Sequence, residues 1–215
     1  MTITIGLGPA TLELLAERAA FWQEHGTLFV ADLHWGKDAS FRARGLPLPD
    51  GDLDAELARL GDVLDSRDAR RLVILGDLIH DRAGVTPTVI RTVAAWRALR
   101  PGVETTLVVG NHDRHLPDLP PAWNVDRVPA PFDLAGLSCV HEPPEDPASP
   151  TLAGHLHPTI RLGRRGDALR LPCFHRERNL LTLPAFAMFT NGVPVVRRGA
   201  HTAIWAIADD RVVAV

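Results

Sequence analysis

Apolar and polar positions change period several times along this chain, and each change marks an element. Residues 3 to 5 read as a short strand, Gly6 to Pro9 as a turn, and two more short strands follow, the second holding Ala19 to Trp22. They are expected to form an edge hairpin beside a strand at 27 to 31. Between 52 and 65, Leu53, Leu57, Leu60 and Leu64 recur at spacings of four, three and four, the pattern of an amphipathic helix. A second helix is predicted over 86 to 99, with Thr86 as N-cap, Pro87 at the first helical position, and Val89, Val93, Trp96 and Leu99 facing inward. Strand, helix, strand, helix, strand over 27 to 109 predicts parallel pairing through right-handed crossovers, with helices covering one sheet face. From 124 onward short strands dominate, separated by Gly, Pro and Asp turns at 129 to 131, 143 to 150, 163 to 167 and 191 to 194. A second, mostly antiparallel sheet is expected there.

Chemistry-bearing side chains sit where the apolar runs stop. The runs are TLFVADLH (27 to 34), RLVILGD (71 to 77), TTLVVGNHD (105 to 113), LSCVHE (137 to 142) and TLAGHLH (151 to 157). They deliver, in order, Asp32 and His34, Asp77, Asn111, His141, then His155 and His157. Strand ends converge, so these distant side chains can meet around metal ions. Imidazole and carboxylate donors without thiolate favour Mn, Fe, Zn or similar borderline ions. Two cations roughly 3.5 to 4 Å apart generate hydroxide near neutral pH and neutralise phosphate charge, which is what phosphate-ester hydrolysis needs. Asp77 is the natural bridge, since Gly76 lets the backbone bend tightly behind the carboxylate. Asp32 and His34 are two apart and would share a face of a regular strand, and the spacing recurs at His155 and His157. His25, His115, His175 and His201 have no such partners.

The series Asp32-Leu33-His34, Gly76-Asp77, Gly110-Asn111-His112-Asp113, His141 and Gly154-His155-Leu156-His157 resembles the calcineurin-like metallophosphoesterase superfamily. That resemblance implies an α/β fold of two sheets sandwiched together and flanked by helices, a four-layer αββα arrangement with the metal site on strand-end loops at one edge. It also implies that Asp32, His34 and His157 hold one metal, Asn111, His141 and His155 the other, and Asp77 both. DLHWGK (32 to 37), FRARGLPLPDGD (41 to 52), GDLIHDRAG (76 to 84), GHLHP (154 to 158), LRLPCF (169 to 174) and LTLPAFAMFTNG (181 to 192) are similar to the ligase-associated DNA damage response endonuclease branch. Membership there implies a manganese-dependent phosphodiesterase acting on DNA in repair, in functional association with a DNA ligase and a helicase. The metal ligands alone would equally serve a nucleotide or cyclic-nucleotide phosphoesterase, or persist in a scaffold without activity.

Around the ligand series lie further candidates. His112 follows Asn111 and should stay near the phosphate, where a cationic imidazole stabilises charge or protonates a leaving oxygen, with Asp113 orienting its ring. His80, with Asp81 and Arg82, makes a polar loop that would contact a phosphate oxygen or the nucleotide beyond, although a solvated turn would read the same. Asn111 also qualifies as a substrate contact. Lys37, the only lysine, would pair with Asp113 or a phosphate, or cap a helix beginning near Asp38. Arg161, Arg164, Arg165 and Arg170, with Arg176 and Arg178 nearby, and Arg42 and Arg44 form two groups able to flank a DNA cleft. The competing reading of the first group is a solvated hairpin turn around Gly163 and Gly166.

Composition narrows the setting. A chain of 215 residues with 46% hydrophobic content fits one domain, 1 to 215, with a large core. No run reaches the roughly 18 apolar residues of a membrane span, and the N-terminus lacks an export-signal pattern, so a cytoplasmic location is expected. Cys139 and Cys173 sit in apolar runs, as reduced core thiols do. A net charge of −3 argues against a tight, extended grip on duplex DNA. The chain has no Tyr, and its Trp and Phe lie in core-like runs, Trp35 being the clearest exception.

Overall fold

The computed structural model describes residues 2–46, 52–116, 118–163, 168–188 and 190–215. Four strands open the chain: β1 (Ile3–Leu7), β2 (Ala10–Leu15), β3 (Ala19–Trp22) and β4 (Thr27–Val30). They pair antiparallel in sequence order. Helices α1 (Lys37–Ala43) and α2 (Asp52–Ser66) lead to β5 (Arg71–Leu75), and α3 (Pro87–Ala98) leads to β6 (Glu104–Val108) and β7 (Asp126–Val128). β4, β5, β6 and β7 pair parallel and complete a seven-stranded sheet. The short strand at 126 thus extends the first sheet, and the second begins only at β8 (Phe132–Leu134).

That second sheet comprises β8, β9 (Leu137–Cys139), β10 (Thr151–Ala153), β12 (Leu169–Glu177), β13 (Leu180–Thr182), β14 (Thr202–Ala208) and β15 (Arg211–Ala214), with β11 (Thr159–Leu162) paired to β12. Its pairings are antiparallel except β9–β10 and β10–β13.

Both faces of the central strands are covered, which is why they read as continuous apolar runs rather than alternating ones. Leu28, Val30, Leu72, Ile74 and Leu107 face a layer built on Leu57, Leu60, Leu64, Val89 and Val93 from α2 and α3. Their neighbours Phe29, Val73, Leu75 and Val108 face the second sheet at Leu137, Cys139, Leu152, Phe174 and Leu181. Each such fully buried side chain contributes roughly 1.5–3 kcal/mol of transfer free energy. The outer face of the second sheet carries a smaller cluster of Ile160, Cys173, Ile204 and Ala206 with Val195 packed on it. Among the described residues this outermost layer is hairpin and loop, and all three α-helices belong to the first sheet's part of the chain.

Two local expectations are corrected. α3 starts as read, with the Thr86 hydroxyl accepting from the Val89 N–H at 3.2 Å, but Leu99 is 76% exposed. Arg97 is buried instead, donating to the carbonyls of Trp123, Arg100 and Val103 at 2.9, 2.8 and 3.0 Å. Trp35 is a core residue, edge-on to Trp96 and Trp123. The helix expected to begin near Asp38 is α1, with Lys37 as its first residue after Gly36 in the left-handed region. No helix among the described residues is long and apolar enough to cross a membrane.

Candidate metal centre

Five strands end at one edge shared by the two sheets. Asp32 and His34 follow β4, Asp77 follows β5, Asn111 follows β6, His141 follows β9, and His155 and His157 follow β10. The regular-strand spacing expected for Asp32 and His34 is not what unites them. Asp32, His34, Asp77, His155 and His157 all adopt left-handed backbone, with φ of 56°, 49°, 52°, 70° and 47°. Such residues cost of order 1–3 kcal/mol each and persist where surrounding structure over-determines them. Here the loops after β4 and β5 continue the sheet's hydrogen bonding: His34 N–H to the Asp77 carbonyl at 2.9 Å, Trp35 N–H to that of Leu78 at 2.8 Å, and His80 N–H to that of Trp35 at 3.3 Å. Gly76, at φ 77°, lies directly against the His141 ring, and Gly110 against the Asp77 carboxylate, so a Cβ at either would overlap the site.

Two donor groups result. In each, the candidate ligand atoms lie within 4.8 Å of one another: Asp32, His34 and His157 in one, Asp77, His141 and His155 in the other. In the second, His141 Nδ1 donates to the Leu75 carbonyl at 2.9 Å. That bond fixes the ring so that Nε2 faces Asn111 Oδ1 at 2.8 Å, His155 Nδ1 at 3.1 Å and Asp77 Oδ1 at 3.3 Å. In the first, His157 Nδ1 is engaged by the Asn191 carbonyl at 2.8 Å, and Nε2 lies 3.2 Å from Asp32 Oδ1. Asp32 Oδ2 accepts the His155 N–H at 2.9 Å, which joins the groups.

Buried polar atoms without partners test whether cations fit. His34 Nδ1 is buried with no hydrogen-bond partner, and Asp32 Oδ1, equally buried, has near it only His157 Nε2 of the same donor group, at 3.2 Å; buried polar atoms placed like this are costly unless something further satisfies them. Burial drives the His34 pKa down to about 3, despite the attraction of Asp77, so its ring is neutral with a lone pair available. Burial also opposes charge on His141, but its hydrogen bond and attraction to Asp77, helped by Asp32, outweigh this and push the pKa up to about 9. On Asp77, burial is likewise outweighed, by His141 and by the His112 N–H, and its pKa is lowered. The donor set therefore concentrates carboxylate charge that cations would balance.

His34, His80 and His112 make a third group at the same spacing. His112 stacks on His80 at 5.3 Å, its Nδ1 meets the His80 carbonyl at 2.5 Å, and its Nε2 is 3.9 Å from Asp77 Oδ2. The Asp113 carboxylate does not hold this ring. It is buried and accepts the N–H groups of Asp77 at 2.7 Å, Gly110 at 2.9 Å and Leu78 at 3.1 Å, tying the β5 and β6 loops together. Burial raises its pKa.

The arginines divide. Arg42 pairs with Asp38 and Arg44 with Asp81. Arg176 donates to the Gly6 carbonyl and Arg178 pairs with Asp146, both engaged by parts of the chain outside the donor groups. Arg82 is exposed on a 3₁₀ turn at Arg82–Gly84, while Arg164 and Arg165 lie outside the described residues. Sequence reading missed Arg18, Glu56 and Arg59. Arg18 donates to the carbonyls of Ala185 and Ala187, Arg59 to that of Phe186, and Glu56 accepts the Met188 N–H. The segment they clamp packs on the first donor loop, where the Ala187 N–H meets the Asp32 carbonyl at 3.3 Å. No local pattern announces residues whose partners lie more than 120 positions away.

A family model described as calcineurin-like phosphoesterase matches residues 26–178. Among solved structures, the nuclease MPE of Pseudomonas putida is 33% identical, with 100% of both chains covered and a TM-score of 0.86. Two more distant structures, the E. coli phosphoesterase Yfce and the protein of unknown function AQ665 from Aquifex aeolicus, are each 18% identical at a TM-score of 0.39. The first alignment covers 86% of this chain and 88% of the other, the second 65% and 81%. No curated protein matches. With converging carboxylate and imidazole donors, a buried His34 nitrogen left without a partner, and a family match over most of the chain, this protein belongs to the calcineurin-like phosphoesterases and is a metal-dependent phosphoester hydrolase.

Proposed function

We propose that the chain is a binuclear, manganese-dependent nuclease that cuts internal phosphodiester bonds of DNA, in the repair setting, alongside a ligase and helicase, that the sequence resemblance implies. The observation that carries the binuclear part is the pair of donor groups linked through Asp32, with Asn111 on the second. Asp32, His34 and His157 would hold one cation and Asn111, His141 and His155 the other, with Asp77 between them. Bound there, such cations supply positive charge to the phosphate oxygens and make water more acidic. The substrate class is supported by the likeness to a nuclease over the full chain.

The protein's own groups do the rest. His112 donates Nδ1–H to the His80 carbonyl, so the Nε2 edge is the one left for substrate. In its imidazolium form that edge donates a proton to the departing oxygen. His80, stacked behind His112, holds the ring against rotation and offers a donor to a non-bridging oxygen. Asp113 keeps both loops in register and never meets substrate.

Cleavage of single-stranded, nicked and duplex DNA with added manganese, by wild type and Asp77→Ala in parallel, tests the reading. Metal-dependent cutting lost by about a hundredfold to a thousandfold in Asp77→Ala is expected, the range for removing a central electrostatic group. Hydrolysis of cyclic nucleotides or monoesters with DNA left intact would refute the nuclease assignment, and one bound ion per active chain would refute the binuclear one.

A further inference from the structure

A recess of about 180 Å³ opens beside the donor groups, with His157 in its wall. Ala185, Met188 and Thr190 form one side, and the β11–β12 hairpin, through Thr159 and Arg170, forms the other. Two guanidiniums line it. Arg18, from the β2–β3 turn, spends only Nη1 on the carbonyls of Ala185 and Ala187, at 3.3 and 2.8 Å. Arg170 donates Nε to the Thr159 hydroxyl at 3.0 Å and Nη2 to the Gly192 carbonyl. Nε and Nη2 of Arg18 and Nη1 of Arg170 have no hydrogen-bond partner among the described residues. No carboxylate is among the recess's described lining. The acid whose charge acts on Arg18 is Glu56, and that carboxylate already accepts the Met188 N–H at 3.1 Å.

We propose that this recess is a subsite for the backbone phosphate of the substrate strand that neighbours the phosphate being hydrolysed. The inference rests on the nuclease reading above. Guanidinium forks with unspent N–H groups match phosphate geometry, and each is fixed by bonds to the fold rather than free to swing. The volume is below the roughly 300–1,000 Å³ of pockets for drug-sized ligands, so the occupant is one sugar-phosphate unit rather than a complete nucleotide with its base. Because His157 belongs to both the recess and a donor group, a strand crossing the donor groups passes directly into it. The sequence reading placed Arg170 in a basic group without distinguishing its members. Geometry singles it out and adds Arg18.

The test uses the trinucleotide dTpTpT and its two isosteres in which one linkage is a neutral, uncleavable methylphosphonate. With manganese-loaded wild type, kcat/KM per cleavable linkage should fall about tenfold for the isostere that places the neutral linkage in the recess, equivalent to about 1.4 kcal/mol. In Arg170→Met the same exchange should cost no more than about twofold, because the partner of that charge is gone. Arg170→Lys, which keeps charge but not the fork, should fall between. Binding of fluorescent (dT)6 to chelator-treated protein provides a readout independent of catalysis. The log–log salt slope should be shallower by about 0.7 in Arg170→Met, the value for one phosphate contact on a single strand. Isosteres cut as fast as the parent, an undiminished penalty in Arg170→Met, or an unchanged salt slope would overturn the subsite. Wild type that leaves dTpTpT and longer DNA wholly intact would mark failure of the nuclease reading instead. Thermal melting of each variant separates these results from misfolding.

Discussion

Replacing Asp113 separates a carboxylate that holds loops from one that serves chemistry. Its side chain is 1% exposed, and its two oxygens satisfy three backbone donors belonging to two different strand-end loops. Alanine orphans all three. A buried donor without a partner costs about 1–3 kcal/mol, and entering water relieves part of this, so the expected loss is about 3–5 kcal/mol. Asparagine keeps one carbonyl oxygen. Placed where Oδ2 now sits, it retains the bonds from Asp77 and Gly110 and turns its amide toward the Leu78 N–H, for an expected loss of about 1–2 kcal/mol. Equilibrium urea denaturation of chelator-treated protein at constant m-value measures both. Kinetics give a second axis. His112→Ala should slow diesters with poor leaving groups far more than p-nitrophenyl esters, whereas Asp113→Asn should slow both alike, because Asp113 touches only backbone. Equal destabilisation by Ala and Asn, an alanine penalty under about 1 kcal/mol, or a leaving-group bias in Asp113→Asn would refute this role.

Gly76→Ala places a methyl against the His141 ring in left-handed backbone, so it should reduce manganese affinity and hydrolysis at least about tenfold, the scale for displaced groups that orient ligands, read by calorimetry and rates. In metal-free protein, His141 with its pKa raised to about 9 contributes stability fully present below its unfolded value near 6.5 and lost as pH rises through 9. His34, lowered to about 3, contributes stability present above about 6.5 and lost as pH falls toward 3. The urea midpoint of chelated protein should therefore fall on both sides of about pH 6.5, and saturating metal should abolish the alkaline fall by competing for the His141 lone pair. Arg97→Met leaves three carbonyls without their donor and should cost about 2–4 kcal/mol in urea with hydrolysis otherwise preserved. Cys139 and Cys173 are free thiols whose pKa values burial pushes to about 12, so Ellman's reagent should find them only in denaturant.

Much of this architecture is written locally. Thr86-Pro87 specifies a helix start by satisfying one orphan N–H and removing another, and the spacing of Leu57, Leu60 and Leu64 specifies a buried face. The donors could be found because strand runs end on them. What stays hidden depends on contacts between distant segments. Leu99 fits the inward period of α3 yet emerges at the helix end, and Arg97 is buried because three carbonyls wait for it, a reason that no hydrophobicity pattern contains. Trp35 stands outside the core-like apolar runs of the sequence, although its indole lies against Trp96 and Trp123. The left-handed loops at Asp32, His34, His155 and His157 are equally opaque, since His and Asp tolerate that conformation without demanding it.

The donors are divided between the two sheets, four residues from the first and His141, His155 and His157 from the second. Competence is thus a property of the sheet–sheet junction, and neither half of the polypeptide carries it alone. During synthesis each donor group stays incomplete until residues 141 to 157 arrive with its imidazoles, and the inner face of the first sheet, at Phe29, Val73, Leu75 and Val108, stays uncovered until the second sheet packs on it. A hydrolase of this design stays harmless to nearby phosphodiesters until its two leaves have closed on one another.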